Sequence, residues 1–335
     1  MKNDIIPLLL NSLEANNLII FCGAGVSFNS GIMTVHPMIQ YLLRFLSAEQ
    51  DDITEYLTDT DGSFRLPIPF EAIIESLKAN LTFKNSSQSF IEVFAKLFDG
   101  NENINHRLMA QLLKNRKVFS IVTTNFDTCI EQALGWNNGD SRIVIPYIEP
   151  LDTLKDMDIT GKLIKLHGCK SRPDYLGITV EQITKTEYWT KTMTVLDKIF
   201  CADESRTVLF LGYSCSDLWD VAEYFHNARL LNKKLANCIY WQHSNIDDVS
   251  ITANAYQMLD GHTYSFFGGD TNLLIHKLYE LEYLPIQADA ITQKYNDFGN
   301  LIPQNPEFVL GKLFEDSSYF DLAIKYFELV LNSNE

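Results

Sequence analysis

The stretch Asn17-Leu18-Ile19-Ile20-Phe21-Cys22-Gly23-Ala24-Gly25-Val26-Ser27 joins a short apolar run to a Gly-Ala-Gly turn. Five consecutive apolar residues are typical of a strand that is buried on both faces of a parallel sheet. The two glycines let the backbone turn sharply and approach a ligand, because no Cβ intervenes. A helix after the turn would direct its free N–H groups at an anion, such as the pyrophosphate of a dinucleotide. An ordinary strand-to-helix turn accounts for the same residues equally well.

The dinucleotide-binding fingerprint is incomplete in this stretch. A third glycine is expected at position 28, where the sequence has Phe28, and the expected acid about 20 residues further on is replaced by Phe45. The sequence therefore gives little support to an ordinary nicotinamide dehydrogenase.

The composition indicates a globular protein of one large α/β domain with an appendage, or of two domains. The chain has 335 residues, of which 46% are hydrophobic and 21% charged, with a net charge of −16. Such a charge argues against direct nucleic-acid binding. The apolar runs are too short to cross a bilayer, and the N-terminus lacks the layout of a secretion signal. We therefore expect no membrane partner.

The cysteines predict neither a structural zinc site nor any other metal site. No two of them form the C-x-x-C pairs that a zinc ribbon needs. Scattered thiols in a chain without a signal peptide favour the reducing cytoplasm. The six cysteines are Cys22, Cys129, Cys169, Cys201, Cys215 and Cys238.

Apolar runs alternate with helical patterns along most of the chain, which predicts a Rossmann-like α/β fold. Strands are expected after residue 17 and at residues 118–122, 163–166, 207–211, 238–241 and 263–267. Such alternation implies a doubly wound parallel sheet. Helices are expected at residues 1–14, 37–46, 70–77, 90–98, 106–113, 127–134 and 271–281, and after Asp217.

The predicted domains are an α/β domain at residues 1–285, with a helical insertion at about 48–115, and a C-terminal helical appendage at 286–335. The appendage begins with a polar connector and ends in a helix pair at 308–314 and 319–331. This pair resembles one tetratricopeptide unit. Because a single repeat cannot bury its own apolar face, we expect a longer protein, a sister subunit or a partner to cover it.

Polar residues follow several predicted strands directly. The groups are Asn125 with Asp127, His167-Gly168, and Gly212-x-Ser214 with Asp217. Together with residues 23–27 they should surround one crevice, because ligands of such sheets bind beyond the carboxyl ends of the strands.

These motifs, in this order, resemble those of sirtuins, and in particular of sirtuin-like bacterial defence proteins, over residues 15–280. The opening stretch at 23–32 and the Lys165-Leu166-His167-Gly168 strand end are similar to sirtuin motifs. Thr123-Thr124-Asn125-Phe126-Asp127 and Gly212-Tyr213-Ser214-x-Ser216-Asp217 have the form found in the defence proteins.

Two departures separate the chain from deacylating sirtuins, and a third separates it from the defence proteins. Met33-Thr34-Val35-His36 stands in place of Pro-Asp-Phe-Arg, and the zinc-binding cysteine pairs are missing. Cys169 follows His-Gly, where the defence proteins usually carry an acid. The resemblance implies cleavage of NAD+, as substrate, to nicotinamide and ADP-ribose without a protein substrate.

Within this resemblance Asn125 and His167 are the predicted catalytic residues. A neutral carboxamide at Asn125 can hold a water and a ribose hydroxyl together. His167 can take a proton from either. Asp127 either accepts a hydrogen bond from the ribose or nicotinamide, or caps the next helix. The residues expected to bind NAD+ are Gly23, Ala24, Gly25, Ser27, Asp127, Gly212 and Ser214.

Two sets of residues are expected to have structural rather than functional roles. Asp217 is expected to act as a helix cap rather than as a ligand contact. The remaining histidines are assigned to the surface or to packing, because no motif surrounds them: His36, His106, His226, His243, His262 and His276.

The predicted function is that of an NAD+ glycohydrolase, the NAD-depleting effector of a prokaryotic antiphage system. Its activity would be gated by homo-oligomer formation, by a defence-system partner or by a phage-derived trigger. Two alternatives are an NAD-dependent protein deacylase, which the missing zinc cysteines disfavour, and a non-enzymatic nucleotide or ADP-ribose sensor.

Overall fold

A computed structural model describes most of the chain, and the described residues divide into two compact units. The first unit comprises residues 1–31, 100–176 and 183–290, and the second comprises 32–99, 177–182 and 291–335. The description covers residues 5–63, 65–84, 89–137, 139–201, 203, 205–216, 219–243, 251–279 and 301–332.

The first unit is built on a seven-stranded parallel sheet, which confirms the predicted doubly wound α/β fold. The strand order is β3-β4-β2-β1-β5-β6-β7, and every pair is parallel. The strands are β1 (Leu18–Cys22), β2 (Ser120–Thr123), β3 (Ile143–Val144), β4 (Leu163–Lys165), β5 (Thr207–Leu211), β6 (Asn237–His243) and β7 (Tyr264–Gly269).

Strand β1 occupies the point at which the strand order reverses. Ile20 pairs with Ile121 of β2 on one side and with Leu209 of β5 on the other. In open α/β sheets, ligands bind in the crevice at this point, beyond the carboxyl ends of the strands.

The apolar run of β1 is explained by burial on both faces of the sheet. Ile19 and Phe21 belong to one core cluster, whereas Leu18, Ile20 and Cys22 belong to another. Because successive side chains of a strand point to opposite faces, an uninterrupted run of five buried residues serves both layers of helices.

Helices supply the two outer layers of this unit. The helices of the first unit are Ile5–Glu14, Ile104–Lys114, Cys129–Leu134, Leu151–Asp156, Thr186–Phe200, Val221–Leu230, Ala253–Leu259 and Thr271–Tyr279. Short 3₁₀ helices lie at Ala24–Ser27 and Pro173–Tyr175.

The second unit is helical. Its helices are Val35–Phe45, Gln50–Leu57, Phe70–Asn80, Phe90–Ala95, Pro306–Asp316 and Phe320–Asn332, with a 3₁₀ helix at Lys96–Phe98, and the short helix Val180–Ile183 begins in this unit. Tyr326 donates a hydrogen bond to Asp52 at 2.5 Å, and the Tyr56 and Ser317 hydroxyls lie 2.7 Å apart.

The predicted C-terminal helix pair is present, and its helices pack against those of residues 32–99. Its likeness to a tetratricopeptide unit stays a prediction, as does the division of the chain at residue 285. The predicted connector at 286–300 lies outside the described residues. Among the helices that the structure describes, none has the length and apolarity to cross a membrane.

The turn after β1 differs from the helix that the sequence suggested. The four-residue 3₁₀ helix Ala24–Ser27 follows the strand, and the next α-helix begins only at Val35, in the second unit. The glycine turn therefore does not lead directly into a long helix whose N-terminus could hold an anion.

Candidate active site

The predicted motifs meet at one edge of the sheet. Strands β4, β2, β1 and β5 are consecutive neighbours, and each is followed by one of the motifs. Since all four strands are parallel, their carboxyl ends lie at the same edge.

The glycines after β1 and β5 pack against one another. The Gly25 N–H donates to the Gly212 carbonyl at 2.8 Å, and the Gly23 N–H donates to the Leu211 carbonyl at 3.1 Å. A Cβ on Gly25 would lie 2.7 Å from the Gly212 Cα, and one on Gly212, where φ is +57°, would lie 2.6 Å from the Val26 N. Contact between the two loops accounts for glycine at these positions.

Ser27 is the centre of a buried hydrogen-bond network. Its hydroxyl donates to Asp127 Oδ2 at 2.9 Å and accepts from Asn125 Nδ2 at 3.0 Å. His106 Nε2 lies 3.2 Å from the same oxygen. A hydroxyl has one proton to donate and two lone pairs, so these three partners saturate it.

The protonation of His106 follows from its other partner. The Asn103 N–H donates to Nδ1 at 3.1 Å, while the Asn103 side chain accepts from the His106 N–H at 3.1 Å, a reciprocal cap of helix Ile104–Lys114. Burial lowers the pKa of the imidazole to about 4, against the opposing effect of Asp127. The ring is therefore neutral at neutral pH, and it donates from Nε2 to Ser27.

The Asn125 carboxamide is fixed by the two hydrogen bonds of its NH₂ group. Besides Ser27, this group donates to the Gly23 carbonyl at 3.2 Å. With both protons used, Oδ1 is the remaining polar atom of the side chain, and it can only accept. The arrangement suits Asn125 to hold the O–H of a water or a sugar.

Asp127 accepts hydrogen bonds through both of its carboxylate oxygens, and its predicted contact with the ribose or nicotinamide stays a prediction. Its Oδ1 accepts at 2.9 Å from the Cys129 N–H, the first N–H of helix Cys129–Leu134, whose N-cap residue is Thr128, while its Oδ2 accepts from Ser27. Burial acts to raise the pKa of Asp127, but His106, Lys165 and the two hydrogen bonds hold it below its usual value. Asp127 is therefore an ionised, buried acceptor.

His167 lies after β4 and pairs with a carboxylate that the sequence analysis did not single out. Its Nε2 is 2.8 Å from Asp220 Oδ2. Its ring centroid lies 6.1 Å from that of Phe126, the neighbour of Asn125. The next residue, Gly168, has φ +93°, and a Cβ there would lie 2.3 Å from the Tyr175 carbonyl oxygen.

Two further predicted site residues lie at the surface. Ala24 is exposed, as is Ser214, whose hydroxyl lies 2.7 Å from that of Ser216. Asp217 is outside the described residues, and the observed cap of helix Val221–Leu230 is Asp220.

A buried ion pair lies at the carboxyl end of β4. Lys165 donates to Glu131 Oε1 at 2.7 Å and to the backbone carbonyl of Asp127. Burial would lower the pKa of Lys165, but Glu131, Cys169 and Asp127 together raise it above its usual value. Cys169 Sγ lies 3.6 Å from Glu131 Oε1, so the position after His-Gly belongs to this cluster.

His106, Asp127 and Cys129 place one potential metal-ligand atom each within 4.8 Å of one another. Both nitrogens of His106 and both oxygens of Asp127 already take part in hydrogen bonds. Burial, reinforced by Asp127, raises the pKa of the Cys129 thiol, which opposes the thiolate that a metal requires. The group fits a hydrogen-bonded cluster better than a metal centre.

Sequence reasoning missed two residues of this edge. One is His106, for which the sequence predicts only a place at the surface or in packing. Its signal is the Asn103-Ile104-Asn105-His106 spacing, which matches a capping box with histidine in the place of the usual Glu or Gln. Asp220 was overlooked in favour of Asp217, three residues earlier.

Comparison with known proteins agrees with these motifs. Residues 120–257 match the family model described as SIR2-like domain. The match begins at β2 and includes Asn125, His167 and Gly212, whereas the Gly-Ala-Gly turn lies before it.

A curated relative and a solved structure are also similar. The relative is NAD(+) hydrolase ThsA of Acinetobacter baumannii (strain 532279), 26% identical over 224 residues, which are 64% of this chain and 39% of the relative. The chain thus spans about two fifths of the length of that protein. A structure described as "Structural Basis for the Mechanism and Regulation of Sir2 Enzymes" matches 84% of this chain and 97% of its own, with 15% identity and a TM-score of 0.41. The residues similar to a SIR2-like domain contain the polar ends of β2, β4 and β5.

Proposed function

We propose that this chain is an NAD+ glycohydrolase, which cleaves NAD+ and water to nicotinamide, ADP-ribose and a proton. The observation that carries the proposal is the pair of groups at one sheet edge: Asn125, fixed by Ser27, and His167, paired with Asp220. The activity named for the relative supports it.

The chemistry requires little activation of the leaving group. When the bond between C1′ and the nicotinamide nitrogen breaks, its electron pair neutralises the positive charge of the pyridinium ring. The sugar becomes oxocarbenium-like, and a water oxygen forms the new bond to C1′. The protein must hold that water behind C1′ and take its proton.

The described residues can divide these tasks. Asn125 Oδ1 accepts from the attacking water or from a ribose hydroxyl, because the NH₂ group is held by Gly23 and Ser27. His167 takes the proton and releases it to solvent. The loops that begin at Gly23 and Gly212, with Ala24, Gly25 and Ser214, would contact the phosphates and sugars of NAD+.

A metal-free hydrolase fits these residues better than a zinc-dependent deacylase. All six cysteines are free thiols, and they are not spaced as the pairs that hold the sirtuin zinc. We propose NAD+ as the substrate, with no metal and no acyl-lysine partner.

We further propose that the protein is a cytoplasmic effector of antiphage defence that binds neither nucleic acid nor membrane directly. An enzyme that drains NAD+ must stay silent until it is needed. Control by self-association, by a defence-system partner or by a phage-derived trigger would meet this need. Apolar side chains of helix Phe320–Asn332 are exposed, which supports packing against another surface.

Product analysis tests the proposed function. Purified chain is incubated with NAD+, and the products are separated by chromatography. Nicotinamide and ADP-ribose should form in equal amounts, and Asn125→Ala and His167→Ala should each slow the reaction on the order of 10²–10⁴-fold. His226→Ala, at an exposed histidine, is the matched control. Normal turnover by both folded site variants would show that the site lies elsewhere.

A further inference from the structure

Asp220 caps helix Val221–Leu230 and contacts His167, but it has no part in the reaction as proposed so far. It follows the loop after β5 and is 3% exposed. Its Oδ2 lies 2.8 Å from His167 Nε2, and the two side chains are 4% and 11% exposed. Burying a carboxylate away from water is costly unless a strong hydrogen-bond donor compensates it, and the His167 imidazole is such a partner.

The fold holds the carboxylate in place independently of His167. Asp220 is the N-cap of helix Val221–Leu230, and its Oδ1 accepts from the Val221 N–H at 2.6 Å. The same helix is anchored by Val221 and Phe225 in the core of the first unit. One oxygen is thus fixed by the helix, which directs the other at the imidazole.

This geometry selects one tautomer of His167. An ionised carboxylate can only accept hydrogen bonds, so the Nε2 facing it carries the ring proton. In the neutral ring the lone pair then belongs to Nδ1. When Nδ1 takes a proton, the adjacent carboxylate stabilises the resulting imidazolium.

We propose that Asp220 is a positioning residue that makes His167 Nδ1 the proton-accepting atom of the reaction. The inference rests on the proposed function, in which His167 takes the proton released by the attacking water or ribose hydroxyl. Asp220 itself does not touch the reacting atoms. It acts by fixing the tautomer and by stabilising the charged ring.

The substitution Asp220→Asn distinguishes the effect of Asp220 on His167 from its role as the N-cap of helix Val221–Leu230. Asparagine is as good an N-cap as aspartate, so helix Val221–Leu230 should be retained. Its amide can donate to Nε2, however, which moves the ring proton to Nδ1 and removes the base. We expect kcat to fall on the order of 10²–10⁴-fold with little change in KM. Asp220→Glu, which restores an acceptor, should recover part of the loss.

The matched control is Asp158→Asn. Asp158 also accepts from a backbone N–H, that of Thr160 at 2.9 Å, but it is exposed and precedes β4, at the opposite edge of the sheet. Its turnover should equal that of the unaltered chain.

A second measurement reports the tautomer without any turnover. Long-range ¹H–¹⁵N correlation spectra of chain labelled with ¹⁵N-histidine, with His167 assigned through His167→Gln, identify which ring nitrogen bears the proton. We expect Nε2–H in the unaltered chain and Nδ1–H in Asp220→Asn. A proton on Nδ1 in the unaltered chain overturns the inference, as does unchanged kcat in Asp220→Asn. If the unaltered chain does not cleave NAD+, the proposed function fails, while the spectra still decide whether Asp220 sets the tautomer.

Discussion

The amide of Gly25 donates a hydrogen bond to the carbonyl of Gly212 at 2.8 Å, which joins the loop after β1 to the loop after β5. Glycine-rich turns in nucleotide-binding folds are usually explained by the approach of a phosphate. Here the space that each Cβ would fill is already occupied by the backbone of the other loop.

The first prediction concerns this contact. Gly25→Ala places a Cβ 2.7 Å from the Gly212 Cα, so the loops must separate. We expect the free energy of unfolding to fall by about 1–3 kcal/mol, measured by urea denaturation. Gly139→Ala, where the nearest atom is a side-chain oxygen at 3.4 Å, should change it by less than about 0.5 kcal/mol. Equal effects of the two substitutions would contradict the role given to the loop contact.

The second prediction concerns the hydroxyl of Ser27. Ser27→Ala leaves Asp127, Asn125 and His106 without their shared partner, which should lower the free energy of unfolding by about 1–3 kcal/mol. Because the Asn125 carboxamide is then free to rotate, NAD+ turnover should fall on the order of 10²-fold.

Ser30→Ala provides the control for this substitution. Ser30 is equally buried, but its hydroxyl has no hydrogen-bond partner among the described residues. Its removal should leave both stability and turnover near those of the unaltered chain. A Ser27→Ala variant that behaves like Ser30→Ala would refute the network.

The third prediction is that the stability of the fold decreases at acidic pH because of His106. Its pKa is about 4 in the folded chain because of burial, whereas the pKa of an unfolded histidine is ~6.5. Between these values the unfolded state binds a proton that the folded state does not. The free energy of unfolding therefore falls as the pH is lowered through this window, by up to roughly 3 kcal/mol.

Denaturation midpoints measured between pH 4 and 7 test the third prediction. His106→Gln cannot titrate, so it should have a flatter pH dependence than the unaltered chain. His226→Gln, at an exposed position, should keep the original slope. A slope unchanged by His106→Gln would show that this ring is not the source.

The fourth prediction concerns assembly. Phe320, Ile324 and Leu331 are 61%, 55% and 69% exposed on the last described helix. If these residues bind another copy or a partner, turnover should rise more than linearly with chain concentration or on addition of the trigger. Ile324→Glu should weaken self-association in light scattering and reduce turnover.

Leu231→Glu is the control for the fourth prediction, since Leu231 is 67% exposed but lies in the first unit. It should leave assembly intact. A strictly monomeric chain with constant specific activity at every dilution would rule out control by self-association.

The strands and the sheet edge could be predicted because their signal is local. At residues 207–211 a threonine is followed by an apolar run, all five residues are buried, and the observed strand has the same bounds as the predicted one. Once parallel strands are inferred, their carboxyl ends must share an edge, so the neighbourhood of Asn125 and His167 follows from topology. By contrast, the two-residue strand Ile143–Val144 is too short to produce a pattern, and it was not predicted.

The network around Ser27 could not be predicted, because it joins residues far apart in the sequence. His106 contacts Ser27 from a helix that begins at Ile104, 77 residues after the turn at 27, and nothing local marks that meeting. Asp220 occupies the N-cap position of helix Val221–Leu230, which the spacing of the loop does not determine. Whether these residues form the catalytic site stays a prediction.

The buried pair of Lys165 and Glu131 restricts how this sequence can change over generations. Substituting either residue alone strands a charge in the interior, at a cost of about 3–5 kcal/mol, against a total stability of roughly 5–15 kcal/mol for a typical domain. Replacing both by apolar residues would leave the stability nearly unchanged, but a chain with only one of the two substitutions would be strongly destabilised. The two positions should therefore persist or be exchanged together across descendants, even though they are 34 residues apart.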